Sequence, residues 1–369
     1  MRFTIDVSDA ELDDLKRRIR QTRWPDQIPG IGWDQGADLG YLQKILHHWA
    51  EEFDWRRQER RLNSFEHHLV DDVHFVRARA KGGDGIPLVL THGWPSCFTE
   101  YLALVPLLSD PQAHGIDGPA FDLVIPSLPG YGFSPRPPQT GVNYRFVAQR
   151  WHRLMTGLGY ERYGAGGGDF GAGVASFLAL DFPESVIGLH LTTPELTPPF
   201  TDEDAAFAAE VERWSATERG YTAIQSTKPQ TVGYGLTDSP AGLAAWILEK
   251  WRSWTDSGGD LDARFGRDFL CTVLSVYWFS GCITTSLRDY WDNRWHHVEP
   301  QYVGVPTGFA VFRHHFVPEG EPPRSLMERL YNVHRWTVMP RGGHFAPAEE
   351  PRLTAQDIAS FYGSLADVT

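Results

Sequence analysis

The chain has 369 residues, 41% hydrophobic and 22% charged, with 36 glycines and 26 prolines. That length supports a large core and more than one structural unit, and the ordinary charge content excludes global disorder. A net charge of -13 argues against nucleic-acid or anionic-membrane partners, which call for a basic face.

No run of 18 apolar residues offers a membrane span, and the opening residues from Met1 to Asp9 contain no apolar stretch of a secretory signal. Cys97, Cys271 and Cys282 are odd in number and far apart. The expectation is a cytoplasmic protein without a disulfide framework. The 14 Trp, 21 Phe and 13 Tyr suffice to line an apolar ligand pocket as well as a core.

Residues 1–84 read as a helical extension. Ser8-Asp9-Ala10-Glu11 is a capping-box start, followed by Leu12, Leu15 and Ile19 at helical spacing, with Trp24-Pro25 as the expected stop. Leu39 to Phe53 predicts a second amphipathic helix, and the charge-rich Trp55 to Arg61 its continuation. Phe65 to Ala80 alternates as strands do. From residue 85 the pattern becomes α/β. Ile86–Thr91 and Phe121–Pro126 are short buried strands, with helices near Tyr101–Leu108 and Tyr144–Leu158 between strands. The alternation runs to residue 195 and implies a mostly parallel sheet. Residues 196–300 are helical in pattern and rich in tryptophan, an inserted cap. Residues 301–369 resume the α/β pattern with Val305–Phe312, Arg335–Met339 and a closing helix over Leu353–Leu365.

Three motifs carry chemistry. Gly166-Gly167-Gly168-Asp169-Phe170-Gly171 lies between a strand and a helix, the layout of a nucleophile elbow, whose tip has no room for neighbouring side chains. Here the tip is Asp169. The same letters match a dinucleotide-binding fingerprint, but that motif opens the first βα unit of a domain and this one lies mid-chain. Asp169 could also serve only as a helix cap. His92-Gly93-Trp94-Pro95 follows the first buried strand and can aim the Trp94 amide into a site; with the Phe170 amide it would make a two-donor oxyanion hole. Gly342-Gly343-His344-Phe345 follows the last strand, where a nucleophile–acid–His order puts the base. The doublets His47-His48, His67-His68, His296-His297 and His314-His315 are adjacent pairs that do not face one point, so no metal and no cofactor is expected.

These three motifs, with Lys228-Pro229-Gln230-Thr231-Val232-Gly233, Asp238-Ser239-Pro240-Ala241-Gly242-Leu243 and Val305-Pro306-Thr307-Gly308, resemble the microsomal-type epoxide hydrolases over nearly the whole chain. The resemblance implies an α/β-hydrolase fold with a mostly parallel sheet, a helical cap insertion and an N-terminal helical extension. The chain begins without the membrane anchor of the animal members and is most similar to soluble bacterial ones, including those of enediyne natural-product pathways. The family implies two cap tyrosines that hold the epoxide oxygen; local matching puts them at Tyr221 and Tyr290. It implies a small-molecule epoxide and water as reactants, an ester on Asp169, and His344 as the group that activates water. A homodimer is left open by the Trp-rich N-terminal region.

The acid of the triad departs from the family pattern. Its usual place, three residues after Phe312, holds His315. The loop that follows is longer than usual, and counting back from Pro323 points to Glu319, then Glu321, with Glu195 as a third option. Two rival functions remain at this level: a haloalkane dehalogenase-like hydrolase, which would want indole N–H donors for a halide, and a non-catalytic binding protein that keeps the fold.

Overall fold

The computed structural model describes residues 1–313 and 321–366. Helix α1 (Asp9–Arg20) starts at the capping box, with Ser8 and Glu11 each satisfying the other's amide, and buries Leu15 and Ile19. It stops short of Trp24-Pro25. The next positions at helical spacing are Thr22 and Arg23, which give no apolar face to bury. The second expected helix is two pieces: α2 (Leu39–His47), capped by Asp38, and a π-helical turn over His48–Glu52. The turn buries Trp49, whose indole N–H donates to Ser275 Oγ at 2.9 Å. Helix α3 (Trp55–Leu62) is a fresh start rather than a continuation, because Asp54 caps it through the Arg57 amide.

Strands β1 (Glu66–Val70) and β2 (Val73–Ala78) form an antiparallel hairpin. A buried chain of hydrogen bonds ties it to α3 and the sheet. His67 Nε2 lies 2.8 Å from the Leu62 carbonyl, His67 Nδ1 lies 2.9 Å from His74 Nε2, and His74 Nδ1 lies 2.9 Å from Ser127 Oγ. The carbonyl can only accept, so each proton has one place. His67 donates to Leu62, His74 donates to His67, and Ser127 donates to His74. Burial lowers both imidazole pKa values, and the other histidine's charge adds to the effect at His74.

The α/β part follows as β3 (Ile86–Thr91), α4 (Leu104–Ser109), β4 (Phe121–Pro126), α5 (Tyr144–Gly157), β5 (Tyr163–Gly167), α6 (Phe170–Asp181) and β6 (Val186–Leu191). Among the described residues one eight-stranded sheet has the order β1-β2-β4-β3-β5-β6, completed by β7 (Val303–Phe312) and β8 (Tyr331–Met339). Only the β1–β2 and β2–β4 pairs are antiparallel. The continuous apolar runs of β3 and β4 follow from burial on both faces.

Between β6 and β7 the chain leaves the sheet for α7 (Ala205–Glu218), α8 (Gly220–Gln225), α9 (Pro229–Asp238), α10 (Pro240–Ser253), α11 (Leu261–Phe265), α12 (Arg267–Ser280) and α13 (Ile283–Trp295). Their core is aliphatic and aromatic, with Leu243, Ile247, Trp251, Leu270, Leu274 and Leu287 all buried. Two of these helices reach the loop after β3: Trp251 Nε1 donates to the Pro95 carbonyl at 3.1 Å and Tyr277 Oη to the Ser96 carbonyl at 2.7 Å.

After β7 come α14 (Arg324–Glu328), β8, α15 (Ala346–Glu349) and α16 (Pro351–Ala366). Helix α16 is pinned to the sheet by the buried Asp357. Its carboxylate accepts from Arg335 Nε and Thr337 Oγ1 at 2.7 Å and meets His190 Nε2 at 2.9 Å. Burial opposes the charge, but hydrogen bonds from His190, Thr337 and Arg335 outweigh it and lower the pKa to about 2. A depressed carboxylate stabilises the fold above its unfolded value, near 4, and that contribution is lost as pH falls toward 2. Asp357→Ala leaves an unpaired buried imidazole and should cost about 3–5 kcal/mol. The shift of the urea midpoint at pH 7 measures it, and the loss should shrink below about pH 4.

Candidate active site

The sharpest backbone in the α/β part is at Asp169, with φ 54° and ψ -132°. A side chain in that region costs about 1–3 kcal/mol, and the surroundings must hold it there. They do so through close approach. A Cβ on Gly168 would lie 2.5 Å from Thr192 Oγ1, and one on Gly171 would run into the Thr91 carbonyl. The Asp169 amide donates to the Thr193 carbonyl at 3.0 Å. The glycines of the elbow are therefore fixed by contacts with the ends of β3 and β6.

The carboxylate of Asp169 divides its two oxygens. Oδ1 accepts from the Trp94 amide at 3.0 Å and the Phe170 amide at 2.7 Å. Oδ2 faces His344 Nε2 at 3.4 Å. Gly93 has to be glycine, since a Cβ there would collide with the Cβ and Oδ1 of Asp169. The loop that aims the Trp94 amide is held from beneath by His92. Its Nε2 accepts from the Leu128 amide at 3.2 Å, while Nδ1 faces the Gly93 carbonyl at 3.0 Å. Burial lowers the His92 pKa to about 4, so the ring is neutral and can accept at Nε2.

His344 is buried, its amide donating to the Trp254 carbonyl at 2.8 Å and its ring 4.8 Å from that of Trp254. Tyr221 on α8 and Tyr290 on α13 lie over the same elbow. The Tyr221 ring stacks on Trp94 at 5.5 Å, the Tyr290 ring meets Phe170 at 4.8 Å, and the two phenols' rings are 5.9 Å apart. Burial, then the charges of Asp169 and Glu195, raise the pKa of Tyr221; burial, then Tyr221 and Asp169, raise that of Tyr290. Both are neutral hydrogen-bond donors at neutral pH.

The structure thus brings together Trp94, Asp169, Phe170, Tyr221, Tyr290 and His344, from five separate stretches of sequence. Of the acids considered, Glu319 lies outside the described residues, and Glu321 is half-buried beside that stretch. Glu195 accepts from the phenol of Tyr144 at 2.7 Å. The residues missed from sequence are Trp254 and Lys250. The Lys250 ammonium sits 4.5 Å above the Tyr221 ring and 5.9 Å from that of Trp254. Their i,i+4 spacing across the end of α10, which Trp254 caps, was the signal, since residues four apart lie on one side of a helix.

Residues 1–101 match the family described as epoxide hydrolase N terminus, and residues 86–236 match the alpha/beta hydrolase fold. Epoxide hydrolase 1 of Sus scrofa is 36% identical over 403 residues, covering 98% of this chain and 88% of the relative. The crystal structure of juvenile hormone epoxide hydrolase from the silkworm Bombyx mori superposes with a TM-score of 0.91 at 32% identity, covering 100% of this chain and 95% of that one. Aspergillus niger epoxide hydrolase gives a TM-score of 0.83 at 28% identity, covering 99% and 96%. Sequence likeness along nearly the full length and a shared fold give one conclusion: the chain belongs to the epoxide hydrolases, on the α/β-hydrolase fold.

Proposed function

We propose that this epoxide hydrolase works through an ester on Asp169, and that its substrate is a bulky, apolar epoxide. The observation that carries the reading is the division of labour in one carboxylate: Oδ1 held by two amides, Oδ2 turned toward an imidazole at 3.4 Å. Oδ2 attacks an epoxide carbon and the ring C–O bond breaks. The oxygen set free is stabilised by the phenols of Tyr221 and Tyr290 and takes a proton from one of them. Oδ1 becomes the ester carbonyl, already seated against the Trp94 and Phe170 amides.

His344 then takes a proton from water, and the hydroxide adds to Cγ of Asp169. The negative charge of the tetrahedral species falls on Oδ1, where each amide is worth roughly 3 kcal/mol. Breaking the Cγ–Oδ2 bond releases the diol, whose oxygen recovers the proton from the imidazolium, and the proton left on the new Asp169 carboxyl returns to the phenolate, restoring both groups. An aspartate suits this sequence because its ester can be opened at the carbonyl; a serine ether could not. The helices between β6 and β7 act as the cap in this reading, supplying both phenols and an aromatic lining. Glu319 is our choice for the acid that orients His344, from its position in the sequence between Phe312 and Pro323.

Five outcomes test the reading. In a single turnover in ¹⁸O-labelled water, label should enter Asp169 and be absent from the diol; label in the diol means direct attack by water. Mass spectrometry of His344→Gln incubated with styrene oxide should show an adduct on Asp169, and Asp169→Asn should show none. Tyr221→Phe and Tyr290→Phe should each slow ester formation by about 10-fold or more, with the double variant far slower. Because both phenols are raised, ester formation in the parent protein should stay flat to at least about pH 10. For the acid, steady-state turnover should fall much further in Glu319→Gln than in Glu321→Gln.

A further inference from the structure

The loop carrying His344 is bolted to the segment that follows α10 by an unusual set of bonds. The Gly342 amide donates to Asp256 Oδ2 at 3.0 Å, and the His344 amide to the Trp254 carbonyl at 2.8 Å. In the other direction, the Asp256 amide donates to Glu349 Oε2 at 2.8 Å, while the Phe345 amide donates to Glu349 Oε1 at 3.1 Å. One buried carboxylate on α15 thus takes an N–H from each side of the junction. The fit is close: a Cβ on Gly343 would lie 2.6 Å from the Trp254 carbonyl oxygen and 2.9 Å from Thr255 Cα. The ring of Phe345 stacks on Trp251 of α10 at 3.9 Å and 5°.

This junction fixes more than the loop. Trp254 lies against both the His344 ring and the Tyr221 ring, at 4.8 and 5.5 Å. Nothing in the reaction as drawn above uses Glu349, yet its side chain is fully buried and its charge is set against backbone amides, with Arg264 Nε at 3.6 Å. Burial raises its pKa to about 7. A buried carboxyl held in that way is maintained by its geometry, because its removal would leave the Asp256 and Phe345 amides without their acceptor.

We propose that Glu349 and Asp256 are positioning residues for His344, clamping its loop to the end of α10 so that the imidazole holds one fixed relation to Asp169. The proposal rests on His344 being the group that activates water. A loop shift of about 1 Å can cost 10²-fold in a step that depends on alignment. Such a shift acts on ester hydrolysis, which needs His344, and spares ester formation, which needs Asp169 and the phenols. Asparagine at 256 keeps an oxygen for the Gly342 amide; alanine does not. Glutamine at 349 presents an NH₂ to one of the two amides and so loses a bond.

The test separates the half-reactions by rapid quench with styrene oxide, alongside thermal melting of each variant. Glu349→Gln and Asp256→Ala should slow ester hydrolysis by about 10-fold or more and leave ester formation within about 3-fold, so that the adduct accumulates. Asp256→Asn should keep most of the hydrolysis rate. Parallel loss of both half-reactions in step with melting temperature overturns the proposal, as does an unchanged hydrolysis rate. Should Glu349→Gln fail to fold, the Asp256→Ala and Asp256→Asn pair decides by the same criteria. His344→Gln is run beside them: if it does not accumulate adduct, the role given to His344 falls, and the clamp with it. If His344→Gln does accumulate adduct while the clamp variants behave as the parent, only the clamp is lost.

Discussion

The structure depends on holding one acidic side chain where a side chain is costly. Asp169 stands at positive φ because the strands on either side leave the elbow no other course. The close approach of Thr91 and Thr192 forces glycine around it, and the close approach of Gly93 brings the Trp94 amide to the same oxygen that the Phe170 amide meets. The strain is offset by those hydrogen bonds and by the buried core beneath, where β5 and α6 contribute almost entirely buried residues. The same contacts that strain the backbone also orient the carboxylate.

The helices between β6 and β7 might be taken for a loose appendage from their place in the chain, but their contacts tie them down. Trp251 and Tyr277 hold carbonyls of the loop that carries the Trp94 amide. Trp254 gives its carbonyl to His344 and its ring to Tyr221. The insertion therefore braces the loops on which the amide donor and the imidazole stand, as well as contributing phenols of its own.

Those parts of the fold governed by local rules were legible in the sequence. β3 and β4 have the expected bounds because a strand buried on both faces must be a continuous apolar run. The elbow and the Gly-Gly-His loop stood out because close backbone approach leaves glycine as its mark. What depends on tertiary contact was not legible. The π-helical turn after α2 reflects the burial of Trp49 against Ser275, more than 200 residues away. Tyr221 and Tyr290 came only from family likeness, since nothing local separates them from eleven other tyrosines. Trp254 was hidden among many tryptophans, although its spacing from Lys250 at the end of α10 was readable. The triad's acid was obscured by a longer loop, where counting replaces pattern.

The paired imidazoles at His67 and His74 carry a consequence for the junction between the first helices and the sheet. Every proton in the run from Ser127 to Leu62 already has its acceptor, so an extra one would set two donors face to face. Any positive charge on the rings around His74 only pushes its pKa further down. The unfolded chain takes up those protons near pH 6.5 and the native chain resists them, so mild acid draws free energy out of this seam. Acid therefore loosens the hold of the first helices on the sheet through two buried imidazoles that no neighbouring carboxylate relieves.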